Sequence, residues 1–248
     1  MNGSASGNTG IGRSLDIYCR DGERTRRMDA LNARFVPKGG LAFDIGAHVG
    51  DRTASFARLG ASVITVEPQP RVFRALRLLH PRVPDAVLLN AAVGRAEGEI
   101  TLHLNRRNPT VATVQTGFIA AAQGAEGWQD QVWDDCVTVP VTTLDALIAQ
   151  HGTPDFIKID VEGHEAEVLA GLSTPIKALS FEMTTIQRDV AHACINRMQQ
   201  LGAYEFNLSL GEAHALQPGW SSADKMHAVL DALPASANSG DVYARLAS

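Results

Sequence analysis

The sequence predicts an α/β protein built on a doubly wound, mostly parallel sheet. Short apolar, often β-branched runs alternate with helical segments between residues 41 and 201. Runs such as Ser62–Glu67 are continuous rather than alternating apolar and polar, as strands covered on both faces must be. The first run also leads through a glycine-bearing loop into a helix, which in open α/β sheets is where ligands bind.

At 248 residues the chain suits one domain of this class. Its 45% hydrophobic and 20% charged residues exclude general disorder. No apolar run approaches the roughly 18 residues of a membrane span, and the first ten residues lack the basic and apolar regions of a secretory signal. A net charge of −5 argues against a general nucleic-acid binder. The three cysteines, Cys19, Cys136 and Cys194, are odd in number and widely spaced, which fits a reducing cytoplasm and no disulfide or zinc framework. The expected partner is a small molecule; assembly into a homo-oligomer is left open.

Residues 1–14, rich in Gly, Ser and Asn, read as a flexible tail, and 15–248 as a single domain. Strands are predicted at 41–45, 62–67 and 86–89. A helix capped by Asp51 and stopped at Gly60 separates the first two; another over 72–79 follows the breaks at Pro68 and Pro70. Residues 99–104 alternate like a strand with one wet face. Residues 105–135 show no period and contain Trp128 and Trp133, so they read either as a lid over an acceptor pocket or as a satellite hydrophobic cluster. Strands at 137–141, 155–160 and 178–183 alternate with helices at 143–150, 164–172 and 189–201. Strands at 204–210 and 241–246 close the chain, joined by a loop holding Pro218, Trp220 and Pro234. Trp220 reads as core or acceptor wall.

The loop Asp44–Ile45–Gly46–Ala47–His48–Val49–Gly50 has GxxxG spacing rather than GxGxxG, with His48 where a pyrophosphate would require glycine. Gly46 permits a tight turn, and the following helix aims free N–H groups at the same place. Asp44 disfavours a phosphate and suits a cation. Glu67 follows 23 positions later at the end of the second strand, where a carboxylate accepts ribose hydroxyls. An adenosyl group bearing positive charge and no phosphate fits, and S-adenosylmethionine has that chemistry. The plainer alternative makes the glycines a turn and Asp44 a helix cap.

These residues, with Glu67–Pro68, Asn90–Ala91–Ala92–Val93–Gly94, Val141–Thr142–Thr143–Leu144–Asp145 and Ile157–Lys158–Ile159–Asp160–Val161–Glu162–Gly163–His164–Glu165, resemble the FkbM family of class I methyltransferases over roughly 41–183. His48 stands where that family usually has Asn. The resemblance implies a Rossmann-like, seven-stranded sheet with an antiparallel final strand, and methyl transfer from S-adenosylmethionine, most often to a hydroxyl. It implies that Gly46 and His48 line the methionine part, Glu67 the ribose, and Asn90–Ala91 the adenine edge. Asp160 would lie at the end of the fourth main strand, beside the methyl group. The cofactor set is thus Asp44, Gly46, Ala47, His48, Gly50, Glu67, Pro68, Asn90, Ala91 and Asp160.

Lys158, Asp160 and Glu162 alternate and on an extended chain would project to one side. Charge in the middle of a parallel sheet must be paired or face a site. Glu162, Glu182 and His164 are the catalytic candidates, because a hydroxyl acceptor must lose its proton during attack. No metal is assigned: Asp160, Glu162 and His164 would suit Mg²⁺ or Mn²⁺, but His164 is expected to start a helix at the surface. Arg24, Arg26 and Arg27 read as a solvated basic run, and the remaining histidines as surface residues. The leading reading is O-methylation of a sugar, glycolipid or polyketide-type hydroxyl. The alternatives are N-methylation of a small molecule or peptide, a nicotinamide oxidoreductase, and a non-catalytic cofactor-binding protein.

Overall fold

Ahead of the sheet stand two helices, α1 (Ile11–Cys19) and α2 (Gly22–Asn32), the latter capped by Asp21, whose carboxylate accepts from the N–H groups of Glu23 and Arg24. The computed structural model describes residues 10–19, 21–80 and 86–247. Helix α1 begins inside the expected tail, and the Gly10 N–H donates to the Arg107 carbonyl at 2.9 Å; residues 1–9 of that tail lie outside the described residues.

The first sheet half runs β1 (Leu41–Ile45), α3 (Asp51–Arg58), β2 (Ser62–Val66), α4 (Pro70–Leu79) and β3 (Ala86–Leu89). Gly50, at φ +84°, is the N-cap of α3, and Asp51 is the first helical residue rather than the cap. Pro70 opens α4 as its first residue, where a missing N–H costs nothing. Next come β4 (Ala92–Val93), β5 (Gly98–Leu104), α5 (Thr116–Ala122) and β6 (Asp135–Thr142). Strands β4, β6 and β5 form a separate three-stranded sheet, so the alternating run at 99–104 pairs outside the main sheet.

The chain then returns through α6 (Leu144–His151), β7 (Phe156–Ile159), α7 (Glu165–Ala170), β8 (Ala178–Thr184) and α8 (Arg188–Leu201). It closes with β9 (Tyr204–Leu210), α9 (Ala223–Ala232) and β10 (Ser239–Leu246). The main sheet has the order β3-β2-β1-β7-β8-β10-β9, and β10 runs antiparallel to both neighbours. The seven-stranded sheet with a reversed final strand is therefore observed. Helix α9 lies where the sequence suggested only a loop: Ser222 caps it, and Ala223, Met226 and Leu230 bury one face at helical spacing.

The central strands carry a near-continuous apolar core, with Phe43, Ile45, Ile157, Ile159, Leu179 and Phe181 all at 0–1% exposure. On the other face Phe35 stacks on Phe156 and Tyr243, and Phe56 meets Phe156 edge-on. Trp220 joins this second cluster against Phe35 and Arg245, and it is not among the residues lining the cavity described below. Among the described residues no helix is long and apolar enough to cross a membrane.

Residues 105–135 are more regular than their sequence suggested. Pro109–Val111 forms a 3-10 turn, and Val111, Phe118, Ala122 and Trp128 build a small hydrophobic cluster. Trp133 packs edge-on to Phe118 and donates to the Val111 carbonyl at 2.8 Å.

Candidate active site

A cavity of about 300 Å³ opens at the carboxyl ends of β1, β2, β7 and β8, a volume at the small end of ligand pockets. Its floor is the loop after β1. The Gly46 and Ala47 N–H groups both donate to the Val66 carbonyl, and Gly46 sits at φ +81°. A Cβ on Gly46 would overlap the Asp160 carbonyl oxygen, so only glycine lets the two loops meet there. Gly50 serves packing instead: a Cβ there would strike Leu76 and His80.

Two main-chain donors hold Glu67. The His48 N–H gives to Oε2 and the Gln69 N–H to Oε1, each at 2.8 Å. Burial still pushes this carboxyl up to about 7, against those donors. His48 takes a left-handed φ of +50° to present its N–H, and burial lowers its imidazole to about 4. Asp44, 1% exposed, accepts the Thr53 hydroxyl at 2.6 Å, and burial raises it to about 6. The Asn90 amide donates to the carbonyls of Glu67 and Pro68 at 2.8 and 3.0 Å, which ties down the loop after β2.

Across the cavity, carboxylate oxygens of Asp160, Glu162 and Glu182 all lie within 4.8 Å of one another. Strand β7 ends at Ile159, so Lys158, Asp160 and Glu162 do not form the extended stripe that their alternation suggested. Glu162 reaches the group through a left-handed φ of +53°, and Glu182 comes from β8. Burial, then neighbouring carboxylates, raise Glu162 and Glu182 well above the ordinary range, and Glu182 Oε2 finds no donor among the described residues. Lys158 lies beneath, paired with Asp241 and, at 3.3 Å, with Asp160. Burial alone would lower its ammonium, but the two aspartates outweigh that and keep it charged.

A family model described as the methyltransferase FkbM domain matches residues 44–216. The chain belongs to the FkbM methyltransferase family. It is 25% identical over 153 residues to the hexuronic acid methyltransferase AglP of Haloferax volcanii, a match covering 60% of this chain and 57% of that relative. The chain thus spans a little over half of the relative's length. Among solved structures it resembles a precorrin-6y C5,15-methyltransferase from Geobacter metallireducens, at 12% identity and TM-score 0.46, covering 93% of this chain and 95% of the other. A TehB-like methyltransferase from Corynebacterium glutamicum matches at 11% identity and TM-score 0.43, covering 95% and 94%.

The cofactor of this FkbM methyltransferase is S-adenosylmethionine, and the loop chemistry fits it. The floor offers buried carboxylates at Asp44 and Glu67 to a cationic adenosyl group. Of the expected cofactor residues, Asp44, Gly46, Ala47, His48, Glu67, Pro68, Ala91 and Asp160 line the cavity; Gly50 and Asn90 stand behind it as packing and tether.

Glu162, Glu182 and His164 line it too. His164 is the N-cap of α7 yet only 8% exposed, not a surface residue. The Gln115 amide meets its Nδ1 at 2.6 Å, and a Cβ on Gly94 would come within 3.3 Å of Nε2. Both ring nitrogens thus face protein, and burial lowers the imidazole. Glu182, rather than His164, completes the acidic trio, whose spacing also suits oxygen ligands of a hard divalent cation.

Several site residues escaped sequence reasoning. Arg24 belongs not to a solvated run but to the cavity wall, 5% exposed and paired with Asp51 at 2.8 Å and Glu212 at 2.7 Å; Arg26 and Arg27 are exposed as expected. Arg52 pairs with Asp241 at 3.2 Å and meets His214. His214 is buried, and His192 meets His227 at 2.6 Å, so these histidines are partnered. Glu165 accepts from the Val161 and Gly163 N–H groups at 3.0 and 3.3 Å and closes the loop that carries Glu162. The available signal was a glutamate opening a helix after a glycine turn, the signature of a carboxylate satisfying free N–H groups.

Proposed function

We propose that this enzyme transfers the methyl group of S-adenosylmethionine to a hydroxyl of a sugar-type small molecule, in the cytoplasm. The observation that carries the reading is the acidic trio Asp160, Glu162 and Glu182, which shares one cavity with the cofactor loop. A hydroxyl nucleophile must give up a proton as it attacks, and a carboxylate whose proton affinity is raised by burial and by its acidic neighbours suits that task. An amine acceptor needs no such cluster once it is neutral, which favours oxygen over nitrogen.

S-adenosylmethionine, when bound, supplies an electrophilic methyl group on sulfur. Asp44 and Glu67 would hold its charged and ribose portions, with Asp160 toward the methyl group. Glu162 or Glu182 would accept the proton of the acceptor hydroxyl as its oxygen takes the methyl group, S-adenosylhomocysteine being the leaving product. Orienting the two reactants is the larger contribution, worth roughly 7–11 kcal/mol at best. The 105–135 segment supplies Thr110, Val111 and Trp128 to the wall and is assigned here as the lid of the acceptor pocket. The Trp128 indole N–H donates to Asn238 at 3.1 Å, and Asn238 and Ser239 add polar groups beside it. An aromatic face among hydrogen-bonding groups suits a polyol ring. The sugar in the name of the haloarchaeal relative supports the same acceptor class. The cytoplasmic placement is supported by Cys136 and Cys194, both free thiols.

Calorimetric titration with S-adenosylmethionine, S-adenosylhomocysteine and NAD tests the cofactor half. Binding of the first two alone is expected, and NAD binding would move the protein to the oxidoreductases. Methyl transfer to a panel of p-nitrophenyl pyranosides and matched amines tests the acceptor half. Transfer to amines only would overturn the assignment to oxygen.

A further inference from the structure

The loop that carries Glu162 is held from two sides, by helix α7 and by the segment paired with β5 of the small sheet. From below, Glu165 binds the Val161 and Gly163 N–H groups. From above, the Thr113 hydroxyl donates to the Glu162 carbonyl at 2.7 Å. Thr113 is 1% exposed, and both its main-chain groups pair with His103 of β5, at 2.8 and 3.1 Å. The Gln115 N–H donates back to the same hydroxyl at 3.0 Å, so the hydroxyl both gives and accepts. Two residues further on, the Gln115 amide reaches His164 at the other end of the loop.

Glu162 needs such an anchor. A left-handed backbone is strained for a non-glycine residue and persists only where surrounding contacts impose it. Without the anchor, the residue relaxes toward the right-handed or extended region, and its side chain leaves Asp160 and Glu182.

We propose that Thr113 is a positioning residue for methyl transfer: its hydroxyl fixes the left-handed turn at Glu162 and so joins the seating of the small sheet to the assembly of the acidic trio. The proposal rests on the reading that Glu162 serves the reaction. On this view the 105–135 segment does more than wall the acceptor pocket, because its correct docking brings the carboxylate into place.

The test compares Thr113→Val, which keeps the shape and removes the hydroxyl, with Thr113→Ser, which keeps both hydrogen bonds. Protein labelled with ¹³C-glutamate reports the Glu162 carboxyl carbon, assigned through Glu162→Gln. That signal moves in Thr113→Val and returns in Thr113→Ser, while the Glu67 signal and the affinity for S-adenosylmethionine stay unchanged. Amide exchange at residues 161–163 quickens about fivefold in the valine variant alone, the expected effect of one lost hydrogen bond. A Glu162 signal identical to wild type in Thr113→Val overturns the proposal, as does failure of serine to restore it. Should Thr113→Val not fold, Glu162→Gly relieves the turn: the double variant folds if Thr113 acts through Glu162. A double variant that stays unfolded makes Thr113 a structural part of the small sheet and overturns the proposal. If wild-type protein binds no S-adenosylmethionine, the methyltransfer reading fails separately, whatever the Thr113 variants do.

Discussion

The His48 N–H and the Gln69 N–H each place 2.8 Å from Glu67, one on either carboxylate oxygen, so the loops after β1 and β2 close on a single side chain. Each oxygen keeps a lone pair for a ligand, and the carboxylate cannot turn away. This arrangement makes cofactor affinity depend on pH.

Glu67 carries a folded value of about 7 against an ordinary 4.5. The folded protein therefore holds a proton that the unfolded chain has released. That stabilisation is complete below about pH 4.5 and disappears as pH rises through 7. Asp44, at about 6, and Glu165, at about 7, act in the same direction. The melting temperature of the ligand-free protein should fall between pH 5 and pH 8. Ribose hydroxyls prefer the ionised form, so affinity for S-adenosylmethionine should rise about tenfold from pH 6 to pH 8. Calorimetry at the two pH values checks it.

Gly46→Ala should abolish cofactor binding and destabilise the protein by about 2–4 kcal/mol. The new methyl group would overlap the Asp160 carbonyl, and φ +81° suits only glycine without strain. Urea unfolding and calorimetry report the two losses.

Asp44→Asn separates cofactor binding from the structural bond to Thr53. The amide oxygen can still accept the Thr53 hydroxyl, so apo stability should stay within about 1 kcal/mol of wild type. Affinity for S-adenosylmethionine should fall tenfold or more with the lost charge. Equal losses in both measurements would make Asp44 a structural residue.

Glu162→Gln and Glu182→Gln should leave cofactor affinity nearly unchanged and slow transfer to the accepted pyranoside, by about 100-fold or more for the residue that takes the proton. Single-turnover rates with saturating cofactor identify which of the two it is.

Lys158→Met should cost roughly 3 kcal/mol in urea unfolding, because it leaves the buried Asp241 to Arg52 alone and Asp160 without its cation.

Much of this was legible along the chain. All seven strands of the main sheet are legible along the chain, the inner ones because burial on both faces demands near-continuous apolar runs. The glycine turn, Asp44 and Glu67 mark the loop that lines the cavity because local geometry and charge are written along the chain. Glu162 stands out in the sequence by a stripe argument that the end of β7 at Ile159 does not support, and Glu182 as a carboxylate available to take a hydroxyl's proton. His164 was misplaced at the surface because its cover, Gln115, lies in the segment with no readable period. Helix α9 is not evident along the chain because Pro218, Trp220 and Pro234, which flank it, are residues of loops and turns.

The sequence by itself determined the class of sheet, the position of the cofactor loop and the carboxylates available for chemistry. Those properties follow from residues within a turn or a strand of one another. Tertiary structure alone decided which charges are buried and with whom: Lys158 finds Asp241 83 residues away, and Arg24 finds Glu212 at a separation of 188. Pairing across such distances depends on how helices and strands pack, and no local pattern records it. The same holds for Thr113, whose role exists only because the small sheet folds back over the loop at Glu162.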